Sequence, residues 1–192
     1  MYFREHVERQ RYGRNKGTVI NHAYIDSGEY RNKFDKISDD KELNRLLYQI
    51  AKEMLDHRSG SEYEDMYWVD VETKKVVAKE LNQKKPTSIQ YSGKTKRKIK
   101  HRKGLLTIHS HPYSFPPSIQ DFNSNYNNDY GIGIVCCHDG KIYIYSSNEE
   151  VNTNYYKMKV EEFIKAGYND IEAQKKALDI VMQNYDIKYK EV

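Results

Sequence analysis

The most restrictive feature of this chain is an apolar, β-branched run, Gly104-Leu105-Leu106-Thr107-Ile108, that ends in His109-Ser110-His111-Pro112 and is then broken by Pro116-Pro117. The run reads as a buried strand, and side chains alternate along a strand, so both histidines leave it on one face at its carboxyl end. The proline pair forbids further strand, and Ser118-Ile119-Gln120-Asp121 reads as a helix start with Ser118 as N-cap and Asp121 in the first turn. Strand, turn and helix together bring two imidazole nitrogens and one carboxylate to one place. That donor set suits Zn²⁺ and leaves a fourth tetrahedral position for water, as in a hydrolytic metal centre. Taken singly, each residue has a plainer role: a histidine is most often a surface or hydrogen-bonded core residue, and a serine three positions before an aspartate is most often only a cap. The spacing, with a strand before and a Pro-Pro break between, favours the metal reading.

His109-x-His111-Pro112 followed by Ser118-x-x-Asp121 resembles the signature of the JAMM metalloproteases, also called the JAB or MPN+ family. The resemblance implies that His109, His111 and Asp121 bind zinc, that Ser118 helps stabilise an oxyanion, and that an upstream glutamate is the general base. The family pattern has seven residues between the second histidine and the serine, whereas residues 112 to 117 supply six. That departure bears mainly on Ser118.

The base is expected just ahead of the first strand after the first helix. Leu43, Leu46, Leu47, Ile50, Ala51, Met54 and Leu55 recur at helical spacing, which predicts an amphipathic helix over 40–56, with Asp39 and Glu42 as a capping box and Gly60 ending it. The polar stretch after it turns into the β-prone Met66-Tyr67-Trp68-Val69, and Glu64 is the choice for the base, with Glu62, of the same strand parity, in reserve. Glu29, Glu42 and Glu53 read as solvent-facing helix residues. In the implied mechanism the glutamate moves a proton from water to the leaving amine, and no covalent intermediate is needed. Cys136-Cys137 lies in an apolar strand where at least one thiol is buried; neighbouring cysteines rarely pair with each other, and a cysteine nucleophile is not expected.

The remaining elements are read as a sheet with helices on it. Asp139-Gly140 marks a hairpin between strands at 134–138 and 141–145, and Glu72 to Lys75 a turn between strands at 67–71 and 76–79. Residues 155 to 166 form a helix stopped by Gly167, and Asn169 caps another running through Met182. The fold class is α/β, layered in the α+β manner. The resemblance, over about 40–147, implies a curved mixed sheet flanked by helices, similar to the cytidine-deaminase-like fold.

Residues 1–35 form a basic N-terminal arm carrying Arg4, Arg9, Arg11, Arg14 and Lys16, with a short helix starting at Ser27-Gly28 that runs to Ile37 and docks through Tyr30 and Phe34; 36–192 are the JAB/MPN-like domain. With 192 residues, 38% hydrophobic and 31% charged, the chain can bury one core; it has no apolar run of membrane-spanning length, and a signal peptide is not expected. The expected location is cytoplasmic, or virion-associated given a resemblance to JAB-like modules of bacterial phage and mobile-element proteins. Tyrosine is abundant at 18, which fits strand propensity and suggests no particular chemistry.

Lys94 to Lys103 concentrates seven of the 32 Lys and Arg in ten residues just before the metal strand. It reads as a solvated loop or hairpin that can steer an acidic partner, while a net charge of +4 makes a dedicated nucleic-acid binder the lesser reading. Three functions follow in order: a zinc peptidase or isopeptidase acting on a protein or peptide conjugate, such as a ubiquitin-like tail; a non-catalytic structural or binding module; and a nucleic-acid-associated factor.

Overall fold

The structure, a computed structural model, describes residues 16 to 192; the arm residues Arg4, Arg9, Arg11 and Arg14 lie outside them. A 3-10 turn at Lys16–Thr18 leads to helices α1 (His22–Ile25) and α2 (Gly28–Phe34), then the long α3 (Lys41–Arg58). Strands β1 (Met66–Asp70) and β2 (Lys75–Glu80) precede α4 (Gly93–Ile99), β3 (Leu106–His111) and α5 (Ile119–Asn127). After them come β4 (Gly133–Cys137), β5 (Ile142–Ser147), α6 (Thr153–Lys165), α7 (Asp170–Asn184) and β6 (Ile187–Glu191).

One mixed sheet of six strands runs in the order β2-β1-β3-β4-β5-β6. Every neighbouring pair is antiparallel except β3 and β4, which are parallel and joined by α5. A parallel pair needs a crossover, and the proline break followed by a capped helix supplies it. On one side of the sheet, the apolar stripe of α3 (Leu47, Ile50, Ala51, Met54) meets Tyr67, Leu106, Ile108 and Ile134. On the other side α5, α6 and α7 cover Val135, Cys137, Tyr143 and Tyr145, and α4 contributes Ile99 to a third cluster around Trp68. Both cysteines are buried and free, and burial pushes the Cys136 thiol up to about 12, which fits inert core residues.

Most local expectations are met within a residue or two. The N-cap of α3 is Asp40, whose carboxylate accepts from the backbone of Glu42 and Leu43, so the expected Asp39–Glu42 capping box is not formed. α2 does dock through Tyr30 and Phe34, both fully buried, although it ends at Phe34 rather than Ile37. The basic run is not a loop or hairpin: most of it is α4, capped by Ser92 and anchored by Thr95 and Ile99. β6 was not expected; Ile187 and Tyr189 alternate with Lys188 and Lys190, and lysines on an outermost strand discourage pairing with other chains. Among the described residues, no helix is long and apolar enough to cross a membrane.

Gly133 pairs with Tyr145 across β4 and β5, and a β-carbon there would overlap the Tyr145 ring. The ring lies over the glycine, packs edge-on to Phe122 and reaches the His109 ring at 6.3 Å. Gly133→Ala is therefore expected to cost about 1–3 kcal/mol by overpacking, read by chemical denaturation. An unchanged midpoint would mean that Tyr145 is not fixed by this contact.

Candidate metal centre

β3 places its side chains as the alternation requires. Leu106, Ile108 and Ser110 face α3, whereas His109 and His111 face the opposite side. On the α3 side, Ser110 is tied to the chain just before β1: its Oγ accepts from the Asp65 N–H at 3.0 Å and its own N–H donates to the Asp65 carbonyl at 3.0 Å. The His111 Nδ1 lies 3.1 Å from the Phe115 carbonyl, which can only accept, so Nδ1 carries the proton and Nε2 is left with a lone pair.

The loop from Pro112 to Pro117 then turns the chain into α5. Ser118 and Asp121 form a capping box. The Ser118 Oγ accepts from the Asp121 N–H at 3.2 Å and donates to Asp121 Oδ2 at 2.7 Å, and the Ser118 N–H donates to the same oxygen at 2.7 Å. Two donors thus hold the Asp121 carboxylate toward the histidines. The arrangement makes Ser118 the residue that orients Asp121, and its side chain also lines the adjoining cavity.

The donor atoms converge. His109 Nε2 lies 3.1 Å from His111 Nε2 and 3.4 Å from Asp121 Oδ1, and His111 Nε2 lies 3.8 Å from Asp121 Oδ2. Ligands held at tetrahedral zinc distances stand roughly 3.3 Å apart, so the separations match a shared cation. The chemistry agrees: two ring nitrogens face each other beside a carboxylate, a cluster that needs a proton or a metal at its centre. His109, His111 and Asp121 form the group of potential ligands found among the described residues. Burial and the neighbouring His109 hold His111 down to about 4, ready to ligate as the neutral imidazole. Burial also acts to lower His109, but the Asp121 and Glu64 carboxylates outweigh it and keep its pKa above the usual value. Asp121 is held well below the usual carboxylate range, because both histidines and the Ser118 hydroxyl outweigh its burial.

Glu64 and Glu62 are both buried ahead of β1, yet they differ in surroundings. The Glu62 carboxylate accepts from the Tyr113 hydroxyl at 2.6 Å, whereas Glu64 lines the cavity that also holds His111 and Asp121. Burial pushes Glu64 up to about 8, opposed by His109 and reinforced by Asp121, in the range a proton-transfer group needs near neutral pH. The cavity, of about 780 Å³, is walled by Thr87, Ile89, Tyr91 and Lys96 on one side and by Tyr113 and Phe115 on the other.

Two parts of this site had no signal of their own. The loop before α4 joins the cavity through a hydrogen bond from the Thr87 N–H to the Glu62 carbonyl, 3.0 Å long. Asp65, fully buried, accepts from Arg58 Nε at 2.6 Å and lies 2.6 Å from His57 Nδ1, so the end of α3 is fastened next to Glu64. A polar Asp at the foot of a strand looks like any strand-end residue; an Arg-His pair at the end of the preceding helix is the only hint. Compared with known proteins, the chain matches no family model, no curated protein and no solved structure.

Proposed function

We propose that this protein is a zinc-dependent metallopeptidase or isopeptidase with a JAB/MPN-type fold, hydrolysing an amide bond in a protein or peptide conjugate. One observation carries the reading: the donor atoms of His109, His111 and Asp121 lie within 4.8 Å of one another, and His111 and Asp121 line a solvent-reaching cavity that Glu64 also lines. The parallel β3–α5–β4 unit and the resemblance of the His109-to-Asp121 segment to JAMM enzymes support it.

A divalent cation held by these three side chains supplies Lewis acidity and makes hydroxide accessible near neutral pH. The chain's own groups do the rest. Glu64 takes a proton from the attacking water and returns it to the departing amine, a role that its place in the cavity wall beside His111 and Asp121 suits. The His111 Nδ1–H bond to Phe115 and the Ser118 bonds to Asp121 keep the ligands from rotating away. Ser118 Oγ, already bonded to Asp121, reaches a developing oxyanion only by giving up that bond, so its main part here is to position Asp121.

The test is elemental analysis with peptide turnover. The parent is expected to bind one zinc and to cleave a tail-fusion or isopeptide substrate; His111→Ala is expected to weaken zinc binding by more than about 100-fold and to abolish cleavage. Zinc retained by the parent with no hydrolysis of any conjugate points to a binding or structural module instead. No zinc in the parent removes the proposal.

A further inference from the structure

From Leu81 to Gln120 the chain has nine Lys and Arg and no Asp or Glu, although the whole protein carries 28 acidic residues. This acid-free stretch includes the loop before α4, α4 itself and the loop after β3, so it supplies both walls of the cavity beside the metal ligands. Lys96 lines that cavity. Lys94, Arg97 and Lys98 on the same helix and Lys100 at its C-cap are exposed, and none of the five has a carboxylate partner among the described residues. Their neighbours differ: Arg102 pairs with Asp70 at 3.5 Å and Lys103 with Asp129 at 2.6 Å. α4 thus holds uncompensated positive charge at the rim of the site, on a helix whose buried side is only Thr95 and Ile99.

We infer that α4 docks an acidic segment of the polypeptide substrate, with Lys96 taking a carboxylate close to the scissile bond. The inference rests on the metallopeptidase reading for the identity of the site. Lys96 is the α4 cation that reaches the cavity wall, so the substrate's acidic residues are placed along α4, outward from Glu64 and Asp121. A nucleic acid would use the same charge and could stack on Tyr91, Tyr113 or Phe115 in the cavity, but a net charge of only +4 on the chain favours the peptide.

The experiment measures binding of a fluorescein-labelled Glu-rich peptide and of its Gln counterpart to the full-length zinc-loaded protein, by anisotropy at low and moderate salt. The Glu-rich peptide is expected to bind about tenfold more tightly at low salt, with the advantage shrinking as salt is added. A triple variant, Lys94→Glu, Lys96→Glu and Lys98→Glu, is expected to erase the advantage while keeping zinc stoichiometry. A control reversing the exposed Lys157, Lys188 and Lys190 to the same net charge keeps it. Equal binding of the two peptides, equal losses in both triple variants, or tighter α4-dependent binding of a single-stranded oligonucleotide would each overturn the inference. Binding is read without turnover, so a protein that docks the acidic peptide yet cleaves nothing defeats the metallopeptidase reading and leaves the docking face standing.

Discussion

Replacing Asp65 by alanine is expected to lower the melting temperature by roughly 10 °C, the effect of losing 3–5 kcal/mol from a domain of this size. Asp65 has no solvent exposure, and its carboxylate is the partner of Arg58 Nε at 2.6 Å, while a second Arg58 nitrogen donates to the Leu81 carbonyl. Removing the carboxylate leaves a largely buried guanidinium without its counter-charge, and that uncompensated charge, more than the lost attraction, sets the size of the effect. Burial leaves the Asp65 carboxyl above its usual value even though His57 and Arg58 draw it down, so its charge depends on those two partners rather than on water. Asp65→Asn retains an oxygen for Arg58 and should lose less; a double change, Arg58→Met with Asp65→Leu, removes both charges and should recover much of the loss. A stability for Asp65→Ala within about 1 kcal/mol of the parent would show that the pair is not what fastens α3 to β1.

What the sequence reveals and what it hides both follow from where each element gets its free energy. β3, the Pro112-to-Pro117 break and the Ser118 cap are legible because they are dictated locally, by strand alternation, by a missing N–H and by a hydroxyl that bonds three residues on. The same holds for α3, whose apolar stripe is long enough to average out errors, and for the hairpin at Asp139-Gly140, where Gly140 has φ 86°. α4 is hidden because only Thr95 and Ile99 are buried, too few to set a period among so many lysines. The Asp40 cap is displaced by one from the expected Asp39 because two adjacent aspartates offer the same chemistry, and only the direction of the backbone decides between them. β6 is stabilised mainly by pairing with β5, with Ile187 its only buried side chain, so its alternation is short and easily overlooked. The grouping of His109, His111 and Asp121 could be read from spacing. Spacing alone does not separate Glu64 from Glu62, since they share a parity; they differ in the Tyr113 hydroxyl, 51 positions from Glu62 in the chain, and in the cavity that Glu64 lines.

That choice yields the other large effect. Glu64→Gln is expected to reduce turnover by about 10²–10⁴-fold while zinc stoichiometry and stability stay as in the parent. The amide has nearly the shape of the carboxyl but cannot accept and release a proton, so only the proton transfer is removed. The fold should tolerate it, because Glu64 makes no hydrogen bond to another described residue and burial already disfavours its charge, with a pKa pushed up to about 8. A neutral amide there avoids the cost of burying an ion. Glu62→Gln is the matching control: its amide oxygen can still accept from the Tyr113 hydroxyl, and turnover should remain within a few-fold of the parent. Single-turnover cleavage of an isopeptide substrate, measured with zinc content on the same samples, decides the matter. Full activity in Glu64→Gln with loss in Glu62→Gln would move the base two residues upstream, and full activity in both would remove a glutamate base from the mechanism altogether.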